Sequence, residues 1–136
     1  MINGKNLAEL INKAKLAASN SYSPYSKFKV GSAILLSDGE IFSGCNIENA
    51  SYGLTNCAER TAIYKAISEY KDKPQIIAVA VYTPTSDLTF PCGPCRQVIY
   101  EFGQDANIVS VCDEPNKKSI LKIKDLLPKA FGPESL

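Results

Sequence analysis

A strand–helix–strand unit near the middle of the chain most constrains its fold. Ile76 to Val81 is a continuous apolar run, and Ile108 to Cys112 is another. Short uninterrupted runs of this kind mark strands buried on both faces. Between them Cys95, Val98, Ile99 and Phe102 recur at helical spacing, and Gly103 stops the stripe. Strands joined through a helix pair in parallel with a right-handed crossover, so helices must cover a sheet that neither run can leave exposed.

The flanking segments extend that plan. Leu7, Leu10, Ile11, Ala14, Ala17 and Ala18 form one stripe of an opening helix. Asn6, with Glu9 three residues on, reads as its capping box, and Ser23-Pro24-Tyr25-Ser26 breaks the helix. Phe28 to Leu36 and Glu40 to Ile47 read as strands, and Asp38-Gly39 between them is a two-residue hairpin signal. Asn49 to Asn56 is a polar loop. Ala58, Ala62, Ile63, Ala66 and Ile67 predict a helix from about Cys57 to Tyr70. Thr83 to Phe90 is a loop, Ser119 to Leu121 a weaker strand, and a short helical turn precedes Pro128. The expected fold is α/β, a three-layer α-β-α sandwich. Its sheet is mixed and five-stranded, with one antiparallel edge strand. At 136 residues, the chain is expected to be one domain spanning 1–136. The helices starting near Cys57 and Cys92 both follow strands, which puts their starts at the carboxyl edge of the sheet, where open α/β folds bind ligands.

Composition narrows the chemistry. The chain has no histidine, so it has no Ser-His-Asp triad, Cys-His dyad or H-E-x-x-H zinc site. A general acid or base must be a carboxylate, Lys, Tyr or Cys, and a tight transition-metal site must lean on cysteine. The formal net charge of +1, with no long basic run, shows no footprint for a nucleic-acid polymer. No apolar stretch approaches the roughly 20 residues of a membrane span, and the N-terminus lacks the apolar core of a signal peptide. A cytoplasmic location is the default expectation. Thiols stay reduced there, so clustered cysteines point to metal or catalysis.

Three cysteines stand at the two helix starts: Cys57 at one, Cys92 and Cys95 at the other. The C-x-x-C spacing lets two thiolates face one ion, and Pro94 suits a first helical turn. Helix N-termini favour the thiolate that a metal requires. Three thiolates without a fourth protein ligand is the composition of a catalytic zinc with a position open for water. A redox C-x-x-C pair is the alternative that leaves Cys57 idle, and a closed structural zinc would need Cys45 or Cys112. Both of those sit in strand patterns and read as small buried hydrophobes. Glu59 lies two residues past Cys57, on a different side of the helix start. It can stand beside a metal without binding it and move protons. The bland reading of Glu59 is an acid favoured by the helix dipole. Arg60 can donate to thiolate sulfur and offset the net charge of an all-thiolate zinc site; its bland reading is a solvated surface residue.

Cys-Ala-Glu-Arg-Thr-Ala (57–62) followed after a strand by Pro-Cys-Gly-x-Cys-Arg-Gln-Val (91–98) resembles the small cytidine deaminases. The wider zinc-deaminase signature has H-x-E before P-C-x-x-C and a three-cysteine variant, which this chain matches with Cys57 in the histidine place. Pro-Tyr-Ser-x-Phe-x-Val-Gly (24–31), Gly-Cys-Asn-Ile-Glu-Asn-Ala (44–50) and Leu-Leu-Pro-x-x-Phe-Gly-Pro (126–133) resemble the same family, so the likeness covers nearly the whole chain. It implies one Zn²⁺ per subunit on Cys57, Cys92 and Cys95, and a zinc-activated water that adds to C4 of free cytidine or deoxycytidine. Glu59 would shuttle protons. The products would be uridine or deoxyuridine and ammonia, a pyrimidine-salvage reaction. It further implies that Asn46 and Glu48 bind the sugar hydroxyls, Phe28 packs on the pyrimidine, and the Cys57 or Ala58 N–H holds the base carbonyl. The family resemblance extends to a homotetramer, with Phe131 reaching a neighbour's site and Tyr25 near subunit contacts. Phe90 and Pro94 depart from the usual residues, but Phe90 keeps a backbone carbonyl that can receive the leaving amine. Deamination of another aminopyrimidine, polynucleotide editing, and a non-catalytic zinc-stabilised binding module are the competing readings.

Overall fold

The computed structural model describes residues 2–136, and its first helix, α1, runs Gly4–Ala18. Its cap is Asn3, not Asn6: the Asn3 carboxamide oxygen accepts the Asn6 N–H at 2.8 Å. Gly4 is tolerated at the first helical position, so the first turn extends upstream until a side chain takes an orphan N–H.

The strands are β1 Gly31–Leu36, β2 Ile41–Cys45, β3 Ile76–Tyr82, β4 Asn107–Val111 and β5 Lys118–Lys122. They form one sheet in the order β2-β1-β3-β4-β5. Only β3 and β4 pair in parallel; β1–β2, β1–β3 and β4–β5 are antiparallel. The expectation of one antiparallel edge strand is therefore corrected to two. Residues 112–117 are too few for a crossover, so β5 folds straight back on β4. β2 and β3, joined through helix α2 (Ala58–Ser68), do run in the same direction, with β1 inserted between them.

The first two strands are shorter than their apolar patterns. Phe28 to Val30 leave the ladder because the Phe28 carbonyl and Val30 N–H bond to the Asn46 side chain. The hairpin loop also spans three residues, Ser37 to Gly39. Leu36 N–H donates to the Glu40 carbonyl, and Gly39 closes the turn at φ +92°, a conformation open to glycine.

Helices cover both faces, giving three layers. α1 lies alone on one face, where Leu10, Ala14 and Ala18 pack on Ala33, Leu35, Ala78, Ala80 and Val109. α2, α3 (Gly93–Phe102) and the short α4 (Ile123–Leu126) cover the other. There Ala62, Ile63, Ile99 and Ile123 meet Ile34, Val79, Val81 and Ile108. These fully buried side chains supply the main driving force of the fold, about 1.5–3 kcal/mol for each large aliphatic. Gly44 fixes how near α2 comes to β2: a Cβ there would lie 2.6 Å from the Ala62 nitrogen. That approach sets the start of α2, and Cys57 with it, at the carboxyl end of β2. Among the described residues, no helix is long and apolar enough to cross a membrane.

Candidate active site

Cys57 is the N-cap of α2 and Cys92 the N-cap of α3; Cys95 sits in the first turn of α3. Both helices start at the carboxyl ends of their preceding strands, and the three sulfurs converge within 4.8 Å of one another. Cys57 Sγ lies 3.6 Å from Cys92 Sγ, which lies 3.4 Å from Cys95 Sγ. Sulfurs on a tetrahedral zinc stand about 3.8 Å apart, given Zn–S bonds of about 2.3 Å, so the donor set fits such an ion. Cys45, at the end of β2, and Cys112, one residue beyond β4, lie outside the cluster. Cys112 is buried and Cys45 half-buried.

Charge is shared unevenly among the sulfurs. A hydrogen bond from Cys95 pulls the Cys57 thiol down to about 5 against the opposing cost of burial, with Arg60 and Cys92 adding to the effect. Cys95 is pushed up by that same bond and by burial. Arg60 Nη2 donates to Cys57 Sγ at 3.3 Å, and this contact holds the guanidinium protonated. Its Nε is buried without a hydrogen-bond partner among the described residues. A cation so held offsets thiolate charge.

Cys57 and Cys92 floor a cavity of about 460 Å³ that is also lined by Ala58, Glu59, Val81, Thr89 and Phe90, with Cys95 buried behind them. Glu59 is 4% exposed; burial pushes its carboxyl up to about 7, and the Cys57 charge adds to that. Position in the first turn leaves the Ala58 N–H without an intrahelical acceptor. Behind the floor, Ser110 Oγ donates to the Thr89 carbonyl at 2.6 Å and anchors the loop that carries Phe90.

Phe28, Asn46 and Glu48 form the opposite rim, so the cavity gathers every candidate residue except Arg60, Phe131 and the fully buried Cys95. The Asn46 side chain is already engaged. Its Oδ1 accepts from Ser21 Oγ and the Val30 N–H, and its Nδ2 donates to the Phe28 carbonyl at 2.7 Å. One Nδ2 hydrogen is left for a ligand. The Glu48 carboxylate accepts the Tyr25 N–H at 2.9 Å, the Ser26 N–H at 3.1 Å, and the Ser26 hydroxyl. The hydroxyl contributes most to holding Glu48 below its ordinary value. Ile47 joins these segments: Glu48 N–H donates to the Tyr22 carbonyl at 2.8 Å, and Ile47 and Asn56 exchange two bonds of 2.9 Å. Asn56 directly precedes Cys57, so rim and floor are tied through the main chain.

Phe131 is 53% exposed and lies outside this chain's own cavity. Helix α3 and the turn that follows it grip its segment. Gln97 donates to the Phe131 carbonyl at 2.8 Å, and Tyr100 and Gln104 donate to the Glu134 carboxylate at 2.9 and 2.8 Å. Tyr25, half exposed, meets Tyr52 edge-to-face at 5.9 Å.

Sequence reasoning missed Ser26 and Arg96. Ser26 lies two residues before Phe28, and its Oγ accepts the Phe28 N–H at 3.0 Å, a local turn that a Ser after Pro-Tyr signals. Arg96 Nε donates to the Pro91 carbonyl at 2.7 Å and Nη1 to the Leu126 carbonyl at 2.9 Å. No local pattern marks the second bond. A second hollow of about 560 Å³, at the opposite sheet edge, is lined by Gln75, Glu101 and Lys122 and contains no thiol.

The sequence profile of the cytidine and deoxycytidylate deaminase zinc-binding region matches residues 5–112. A cytidine deaminase of Halalkalibacterium halodurans is 44% identical over 127 residues, covering 93% of this chain and 95% of that protein. One from Sporosarcina psychrophila is 44% identical over 128 residues, covering 94% and 93% respectively. The crystal structure of cytidine deaminase from Burkholderia pseudomallei superimposes with a TM-score of 0.85 at 44% identity, covering 91% of this chain and 98% of that one.

Proposed function

Because this chain belongs to the cytidine deaminase family, we propose that it hydrolyses free cytidine and deoxycytidine to uridine and deoxyuridine with release of ammonia. One observation carries the reading: a buried carboxyl and a cluster of three cysteine sulfurs, two of them lining the cavity, lie opposite a rim that presents an aromatic ring, an amide N–H and a carboxylate. Cys57, Cys92 and Cys95 would hold one zinc ion. The ion supplies Lewis-acid activation of water, lowering its pKa toward neutrality.

The chain's own groups do the rest. Phe28 lies along the rim, where its ring face suits a flat pyrimidine. The free hydrogen of Asn46 Nδ2 donates to one sugar hydroxyl, and Glu48 accepts from another. The Ala58 N–H meets the base carbonyl at the start of α2. Glu59 takes a proton from the attacking water and gives it to N3, then takes the remaining hydroxyl proton and passes it to the amine leaving C4. Burial raises the Glu59 carboxyl above its ordinary value, which suits a group that both takes and gives a proton. The Phe90 backbone stands where the departing ammonia leaves. Arg60 holds Cys57 as thiolate and offsets the charge of the sulfurs.

Glu48 disfavours a phosphate on the sugar, which supports a nucleoside over a nucleotide. The chain acts as a single catalytic domain. The exposed aromatics Tyr22, Tyr25, Tyr52 and Phe131 support a homotetramer in which Phe131 serves a neighbour's cavity. Five free cysteines suit the reducing cytoplasm. The test is loss of cytidine absorbance with stoichiometric ammonia, measured with and without a chelator. Chelation should abolish turnover and added Zn²⁺ restore it. Zinc-loaded protein that leaves cytidine intact refutes the reading. Light scattering on an eluting peak checks the tetramer.

A further inference from the structure

We propose that Ser26 is the positioning residue of the nucleoside rim, a single hydroxyl that fixes both the Glu48 carboxylate and the backbone carrying Phe28. The inference rests on the cytidine reading of the cavity and adds a residue to it. Ser26 Oγ has one hydrogen and spends it on Glu48 Oε2; its lone pair takes the Phe28 N–H at 3.0 Å. The Ser26 N–H, at 3.1 Å, then joins the Tyr25 N–H on Glu48 Oε1, so both carboxylate oxygens are held by this one turn.

The surroundings make that hydroxyl necessary. Lys27, between Ser26 and Phe28, stands at φ +59°, a conformation that a residue with a Cβ adopts rarely. It is kept there by bonds closing the turn: Lys27 N–H to the Ser23 carbonyl at 3.0 Å, and Phe28 N–H to Ser26 Oγ. Phe28 is 41% exposed and Glu48 only half-buried, so packing alone does not fix either side chain. Their placement depends on the hydrogen bonds of this turn, most of which pass through Ser26. An unheld carboxylate on the rim would sample several rotamers and give up entropy when a sugar bound. Ser26 makes no hydrogen bond to Cys57, Glu59 or Cys92 on the floor. Its loss should weaken binding and leave the chemical step alone.

The experiment compares wild type, Ser26→Ala and Ser26→Thr on cytidine and on dideoxycytidine, which lacks both ring hydroxyls of the sugar. Ser26→Ala is expected to raise KM for cytidine roughly tenfold, as for one charge-assisted hydrogen bond, with kcat within about twofold. On dideoxycytidine the fall in kcat/KM should shrink to about threefold, the share acting through Phe28. Ser26→Thr, which keeps the hydroxyl, should return KM to within about threefold of wild type. An unchanged KM for Ser26→Ala, or an equal penalty on both substrates, overturns the proposal, because general loosening does not depend on sugar hydroxyls. A wild type that turns over no cytidine is a different failure: it removes the functional reading itself.

Discussion

The floor and the rim of the cavity are built by different means. The floor stands on regular structure: two helix N-termini at strand ends place Cys57, Cys92 and Cys95, and Glu59 is buried in the first turn of α2. The rim stands on irregular backbone. Asn46 and Glu48 are set by bonds to Ser21, Tyr25, Ser26, Phe28 and Val30, and Lys27 takes a left-handed conformation between them. The groups proposed for the chemistry are thus fixed by regular elements. Recognition groups are fixed by side chains that can be changed one at a time.

Substitutions at four positions probe that division. Glu59→Gln should lower kcat by about 10⁴-fold, the upper range for general acid–base catalysis, while metal analysis still finds zinc. Turnover near wild type would remove the floor's claim to the chemistry. Asn46→Ala should raise KM and also cost about 3 kcal/mol of stability by denaturant unfolding, because the Val30 N–H and the Phe28 carbonyl lose their partner. A purely kinetic effect would mean that the rim is less dependent on this amide than its bonding implies.

Arg96→Ala should cost about 2 kcal/mol and weaken retention of zinc against a chelator, since the Pro91 carbonyl beside Cys92 loses its guanidinium donor. Arg96→Lys cannot reproduce the fork that also reaches Leu126, so it should restore little. Full zinc retention in both would show that the helix start alone positions the sulfurs. The smallest effect lies far from either region. Tyr70 donates to Asp38 Oδ2 at 2.7 Å in the β1–β2 turn. This bond lowers the Asp38 value and pushes Tyr70 up to about 12. A depressed carboxyl contributes stability above its unfolded value and loses it as pH falls through the folded one. The Tm gap between wild type and Tyr70→Phe should therefore be slight at neutral pH, close in acid, and leave KM unmoved. A change in KM would extend the rim to this turn.

The same division explains what could be read from residues alone. The stripes of α1, α2 and α3 and the runs of β3 and β4 follow local periodicity, and the converging cysteines follow from their places at helix starts. The shortened start of β1 does not, because Phe28 to Val30 look like strand and are withdrawn by an amide 16 to 18 residues away. Nor does Arg96, whose bond to Leu126 spans 30 residues. The second antiparallel edge was hidden for a similar reason: a five-residue strand as exposed as β5 has almost no apolar alternation.

The grip of α3 on residues 131–134 turns the end of the chain into a handle. Leu136 is fully exposed, yet only two residues before it Glu134 is bound by Tyr100, on the helix capped by Cys92, and by Gln104 just past that helix. A fluorophore attached there would be moored to the sulfur-bearing helix. Its anisotropy would follow release of the tail from α3 with no alteration to the cavity.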